Sequence, residues 1–227
     1  MGVLDLGWFG HTAFNAAFFS SLFSIILINL ILSGDNAVVI AMAVRSLPNQ
    51  QRLWGIILGS LLAVVLRIVL TFFAAKLLLI SFLKLAGGLL IGWIAMKLFR
   101  EGHEEGKTEA AVGLWQAVRI IVVADLIMSL DNVLAIAGAS KGDFLLLVLG
   151  LGTSIPFVVG TSTVLSMLMD RYPIIIYIGA AVLGKVAGEM FITDPWLQKM
   201  LHPSHFLEYG TEAVFAIGVI IGGNLLM

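Results

Sequence analysis

Ser33, Gly34, Asp35 and Asn36 interrupt an apolar stretch, NLILSGDNAVVIAMA over 29–43, and the same chemistry returns ninety-six positions on as DLIMSLDNVLAIAGA over 125–139. Ser33, Asp35 and Asn36 recur as Ser129, Asp131 and Asn132, while Asn29 recurs as Asp125. A carboxylate is costly in hydrocarbon, so such residues face a bundle interior or a wet cavity and mark an ion or substrate path. Two copies in register imply two half-sites. The plainer alternative is structural: each Asp-Asn caps a broken helix, or joins helices through polar contacts. At helical spacing Asn29, Ser33 and Asn36 share one face, as do Asp125, Ser129 and Asn132, with Asp35 and Asp131 at the rim. Facing each other, they would form one oxygen-rich cage. Carboxylate, amide and hydroxyl oxygens without thiolate suit hard cations such as Mn²⁺, Mg²⁺ or Ca²⁺ rather than Zn²⁺ or Cu. Asp35, Asp125 and Asp131 together would neutralise a divalent ion and leave one group to carry a proton. Asp125, which breaks the symmetry of the repeat, is the expected carrier.

Such a site needs a bilayer around it, and the composition supplies the reason to expect one. Of the 227 residues 60% are hydrophobic and 12% charged, against about a quarter charged in soluble domains. The chain reads as an integral membrane protein whose surroundings are lipid. A net charge of −1 provides no basic stripe for nucleic acid. No cysteine is present, which excludes disulfides and thiolate metal sites. The N-terminus has no Lys or Arg before its first apolar run, so the basic region of a cleaved signal peptide is missing and the first segment is expected to be retained.

Apolar runs near the length of about 20 residues that spans a bilayer fall at 16–44, 54–79, 82–99, 112–138, 143–167, 173–192 and 206–226. The expected fold is therefore all-α and polytopic, with seven transmembrane helices in a single transporter domain. A second echo, GGLLIGWIAMK over 87–97 against GAAVLGKVAGE over 179–189, divides it into repeat 1 (16–99), a cytoplasmic linker (100–111), repeat 2 (112–192) and an extra helix (206–226). Because three crossings are odd, the second repeat must be inverted about an in-plane axis. Gly88, Gly92, Gly184 and Gly188 match the small-xxx-small spacing of close helix packing. Lys and Arg bias places the N-terminus outside and the C-terminus in the cytoplasm, with Arg45, Arg52, Lys97, Arg100, Lys107, Arg119 and Arg171 on the inner side. Counted from Arg45 and Arg119, Asp35 and Asp131 lie roughly 15 and 18 Å deep at 1.5 Å per residue, close to the midplane. Ser33-Gly34 is a plausible helix interruption, whereas Leu130 at the equivalent position favours a regular second copy.

LSGDNAVVIAMA and DLIMSLDNVLAIAGA resemble the paired signatures of the TerC family of integral membrane proteins, within the LysE-like transporter superfamily. The resemblance runs from about residue 15 to residue 192. It implies seven transmembrane helices, manganese efflux across a bacterial inner membrane, and metal-site residues at Asp35, Asn36, Asp131 and Asn132, with Asp125 involved. No organic cofactor and no catalytic residue is implied, so the chain reads as a transporter rather than an enzyme. Three other readings stay open: a Ca²⁺/H⁺ exchanger or small-solute exporter of the same architecture, an intramembrane hydrolase with Asp35 and Asp131 as its dyad, and a partner that loads metal onto exported enzymes without transporting it. Lys185 and Glu189 are spaced to pair on one helix, and Lys97 to snorkel. Arg67, mid-helix, either neutralises a carboxylate or meets backbone carbonyls. His103, Glu104 and Glu105 in the linker, and His202 and His205 in HPSH, read as solvated groups. Glu208 and Glu212 receive no role.

Overall fold

The computed structural model describes residues 3–5, 11–13, 15–77, 82–101, 113–140 and 143–225. A short antiparallel ribbon, β1 (Val3–Asp5) with β2 (His11–Ala13), precedes the helices. The helices follow in order as α1 (Ala16–Ile31), α2 (Gly34–Arg45), α3 (Asn49–Leu77), α4 (Leu83–Glu101), α5 (Leu114–Ser140), α6 (Phe144–Arg171), α7 (Ile174–Ile192), α8 (Pro195–Leu201) and α9 (His205–Leu225). Each apolar run of the sequence becomes a helix, the first of them in two pieces, with the short α8 added. Among the described residues α3, α6, α7 and α9 are long and apolar enough to cross a membrane, and the bent pair of α1 and α2 makes a fifth candidate. The linker at 102–111, with His103, Glu104 and Glu105, lies outside the described residues.

The break between α1 and α2 has a local cause. Asn15 caps the start of α1, accepting from the Phe18 N–H at 2.9 Å. At the other end the Ser33 hydroxyl turns back and donates to the Asn29 carbonyl at 2.5 Å, a bond that competes with the helical ladder and bends helices. Ser33 therefore supplies no side-chain cap to α2, and the two axes meet at 51°. Gly34 is not needed for fit, since a Cβ there would meet nothing within 4 Å. With Leu130 in place of the glycine, α5 runs unbroken.

Helix α2 is the most enclosed element, buried from Val39 through Arg45. It packs on α3, α5, α6 and α7. Along α3 lies α5, along α1 and α2 lies α6, and α4 lies along α7, which also carries α9. Glycines permit the closest of these contacts: a Cβ on Gly88 would stand 2.5 Å from the Ala187 carbonyl oxygen, and one on Gly184 would stand 2.6 Å from the Ala216 Cα. Two apolar clusters form the core, one around α2, α4, α5 and α7 and a smaller one of Phe18, Ile25, Ile136, Leu146, Leu147 and Leu151. Outward faces remain apolar too, including Phe19, Phe23, Trp54, Trp93 and Phe206, as a surface in contact with lipid requires. At the end of the bundle where α2 gives way to α3, Asp170 of α6 accepts from Arg45 Nε at 3.1 Å and from Arg52.

Candidate functional site

Along α1 and α2 the apolar core is interrupted by Asn29, Ser33 and Asn36, all nearly fully buried. Opposite them α5 presents Asp125 and Ser129, α3 presents Ser60 and Arg67, and α6 presents Ser154, and each of these is also buried. Buried polar groups need partners, and most here find one another. Asn29 Nδ2 donates to Ser154 Oγ at 2.5 Å. Arg67 is the hub: Nε donates to Ser129 Oγ at 2.9 Å, Nη1 to Asn29 Oδ1 at 2.5 Å, and Nη2 to Asp125 Oδ1. Ser129 Oγ in turn donates to Asp125 Oδ2 at 3.1 Å. Of the two roles open to Arg67 in the sequence, pairing with a carboxylate is the one adopted.

Two side chains are left out of this network. Neither amide atom of Asn36 has a hydrogen-bond partner among the described residues, and neither has the Ser60 hydroxyl. Both line a cavity of about 20 Å³ together with Asn29, Ser33, Arg67, Asp125 and Ser154, room for a single water-sized group. Polar oxygens from α1, α2, α3, α5 and α6 thus converge on one small space.

The single cage expected from the sequence is divided. Asp35 does not reach this cavity. It lines a separate and larger one, about 350 Å³, with Asn132, Lys185 and Glu189 among its walls. Consecutive residues on α2 point about 100° apart around the helix axis, and with α2 as the partition Asp35 and Asn36 open into different compartments. Asn132 reaches across the bend, Nδ2 to the Leu32 carbonyl at 3.5 Å. The Asp131 side chain lies outside the described residues. Among those that are described, no three His, Cys, Asp or Glu side chains gather as a metal site. Asp125 has the Arg67 guanidinium as its counter-charge.

Ser60 and Ser154 were not singled out in the sequence. A signal exists for Ser154, because Pro156 two residues on lies inside α6 and marks a helix with a missing ladder bond. Ser60, a lone serine in an apolar run, carries none. Elsewhere, Lys185 Nζ lies 3.5 Å from Glu189 and also 3.7 Å from Glu212 of α9, so the expected pair is a triad joining two helices. Glu208 pairs with His205 at 3.2 Å, and His202 contacts the Gln198 carbonyl.

A family model described as the integral membrane protein TerC family matches residues 14–226. The "Uncharacterized membrane protein YjbE" of Bacillus subtilis (strain 168) is 47% identical over 174 residues, covering 77% of this chain and 80% of the relative. "Uncharacterized membrane protein YceF" of the same organism is 28% identical over 210 residues, 87% of this chain and 79% of that one. "UPF0053 inner membrane protein YgdQ" of Escherichia coli (strain K12) is 29% identical over 139 residues, 53% and 59% of the two chains. No solved structure matches.

Proposed function

The chain belongs to the TerC family of integral membrane proteins, and from that premise we propose that it exports divalent metal cations, Mn²⁺ foremost, across a bacterial inner membrane through the oxygens of its two Ser-x-Asp-Asn motifs. One observation carries the reading. The Asn36 amide is buried in a small cavity and has no hydrogen-bond partner among the described residues, and an unsatisfied buried amide costs roughly 1–3 kcal/mol unless something binds it. Carbonyl, hydroxyl and carboxylate oxygens surround it, the donor set of a hard cation. Asp35, half-buried on the larger cavity, is the group a cation entering from that side would meet first.

The same proposal includes seven crossings. Helices α4 and α5 have 19 and 27 residues, enough for a span of about 30 Å, and lie within one bundle with the five candidates. The packing supports an inverted repeat, since exchanging α1/α2, α3 and α4 for α5, α6 and α7 leaves the contacts α3 on α5, α6 on α1/α2 and α4 on α7 unchanged in kind. Asn29 reaching Ser154 on α6 mirrors Asp125 reaching Arg67 on α3. Discontinuous helices at a repeat interface are where transporters of this construction bind ions. Arg45, Arg52 and Arg171 share one end of the bundle, which supports a cytoplasmic location for that end.

Flux through purified protein in liposomes, with Mn²⁺, Ca²⁺, Mg²⁺ and Zn²⁺ side by side, tests the reading. Mn²⁺ should cross, and Asp35→Asn and Asp131→Asn should each abolish the flux in folded protein. Liposomes that pass none of the four ions would overturn it.

A further inference from the structure

Arg67 belongs to neither copy of the motif, yet its guanidinium takes oxygens from both: Asn29 Oδ1 from the first, Ser129 Oγ and Asp125 Oδ1 from the second. The ion pair is thoroughly enclosed, with side-chain exposures of 3% for Arg67 and 10% for Asp125. The three hydrogen bonds each occupy a lone pair of an oxygen a metal ion would use, and a guanidinium, having donors only, offers the ion no ligand in return. A cation held by these oxygens would also stand against a fixed positive charge in a poorly screened interior. The two cannot share the site.

We propose that Arg67 is a tethered competitor of the transported cation, so that guanidinium and divalent ion take the oxygens of Asn29, Asp125 and Ser129 in turn. This rests on the transport reading above. The cavity beside Arg67, about 20 Å³, admits a water-sized group but not a guanidinium. Exchange then calls for the helices around Arg67 to give way, and α3 packs most extensively against α5. Occupancy of the oxygens is in this way tied to a movement of the bundle. Return of the side chain expels the ion, and the carboxylate is never left without a positive partner during the empty half of the cycle.

A merely structural ion pair makes the opposite prediction, and the sign of one measurement separates the two. Mn²⁺ affinity is measured for the full-length wild type and for Arg67→Ala, with and without millimolar free guanidinium. A tethered competitor predicts about tenfold or more tighter binding in Arg67→Ala, weakened again, competitively, by added guanidinium. Weaker or unchanged binding in the variant, or binding that guanidinium restores, overturns the proposal. Should Arg67→Ala not fold, Arg67→Gln removes the positive charge and keeps a hydrogen-bonding side chain in its place. It too should bind Mn²⁺ more tightly than wild type, and equal or weaker binding counts against the proposal. Failure of the underlying reading looks different: the wild type itself then neither binds nor carries Mn²⁺, Ca²⁺, Mg²⁺ or Zn²⁺, and the proposal falls with it.

Discussion

Asn36 and Asp125, both buried, are opposite cases of a polar residue in an apolar bundle. The Asn36 amide makes no hydrogen bond among the described residues, so the fold gains nothing polar from it. Asn36→Ala should leave the melting temperature unchanged or raise it, because removing an unsatisfied buried group is neutral or stabilising by roughly 1–3 kcal/mol. Mn²⁺ affinity should nevertheless fall by about tenfold, the loss of one good ligand. Thermal unfolding and metal titration on the same sample check both halves, and an unchanged affinity would return Asn36 to a packing role. Asp125 is the converse. Asp125→Asn leaves the Arg67 charge buried without its partner, and breaking a buried pair on one side costs about 3–5 kcal/mol. The double variant Arg67→Gln with Asp125→Asn should be more stable than Asp125→Asn alone, a coupling that a double-mutant cycle reads directly. Equal stabilities of the two would mean that the pair contributes nothing to the fold.

At the scale of elements, the break between α1 and α2 and the glycine contacts of α4, α7 and α9 have separate physical causes. The Ser33 hydroxyl bonded to the Asn29 carbonyl favours the bend, and the open space around Gly34 leaves room for a Cβ there. Gly34→Ala should therefore keep the fold and raise stability, by up to about 1 kcal/mol from helix propensity. A loss of stability would place the origin of the bend in Gly34. The opposite outcome belongs to Gly184, where a Cβ would meet the Ala216 Cα at 2.6 Å and the Phe215 carbonyl oxygen at 2.8 Å. Backbone cannot swing aside as a side chain can. Gly184→Val should force α7 and α9 apart and cost about 1–3 kcal/mol or more, read as a lower unfolding midpoint. A midpoint equal to that of the wild type would mean that α9 is loosely held.

The whole molecule is a bundle with apolar groups inside and outside and a thin polar layer across it, an arrangement that only a bilayer tolerates. Its orientation is open to a clean test because the chain has no cysteine. Single cysteines at Asn49 and Ser204, both exposed, report opposite ends of the bundle. In intact cells an impermeant thiol reagent should label Ser204→Cys and spare Asn49→Cys. The reverse pattern would invert the proposed orientation, and labelling of both would deny that the two ends lie across a membrane from each other.

Much of this was legible in the chain alone, for reasons of local chemistry. Apolar runs became helices because segment length and hydropathy are properties of consecutive residues, and the contrast between Ser33-Gly34 and Leu130 marked where one helix breaks and its counterpart stays whole. The shared face of Asn29, Ser33 and Asn36 followed from helical periodicity and holds within one cavity. Tertiary structure decided what periodicity cannot reach. Packing on either side of α2 gives Asp35 a different compartment from Asn36 although the two are adjacent. Arg67 finds Asp125 and Ser129 because α3 packs along α5, a contact between residues some sixty positions apart. Ser60 and Ser154 entered the site in the same way. An isolated serine looks the same in a sequence whether it faces lipid, a neighbouring helix or a polar cavity, and only the packing of the helices against one another assigns it.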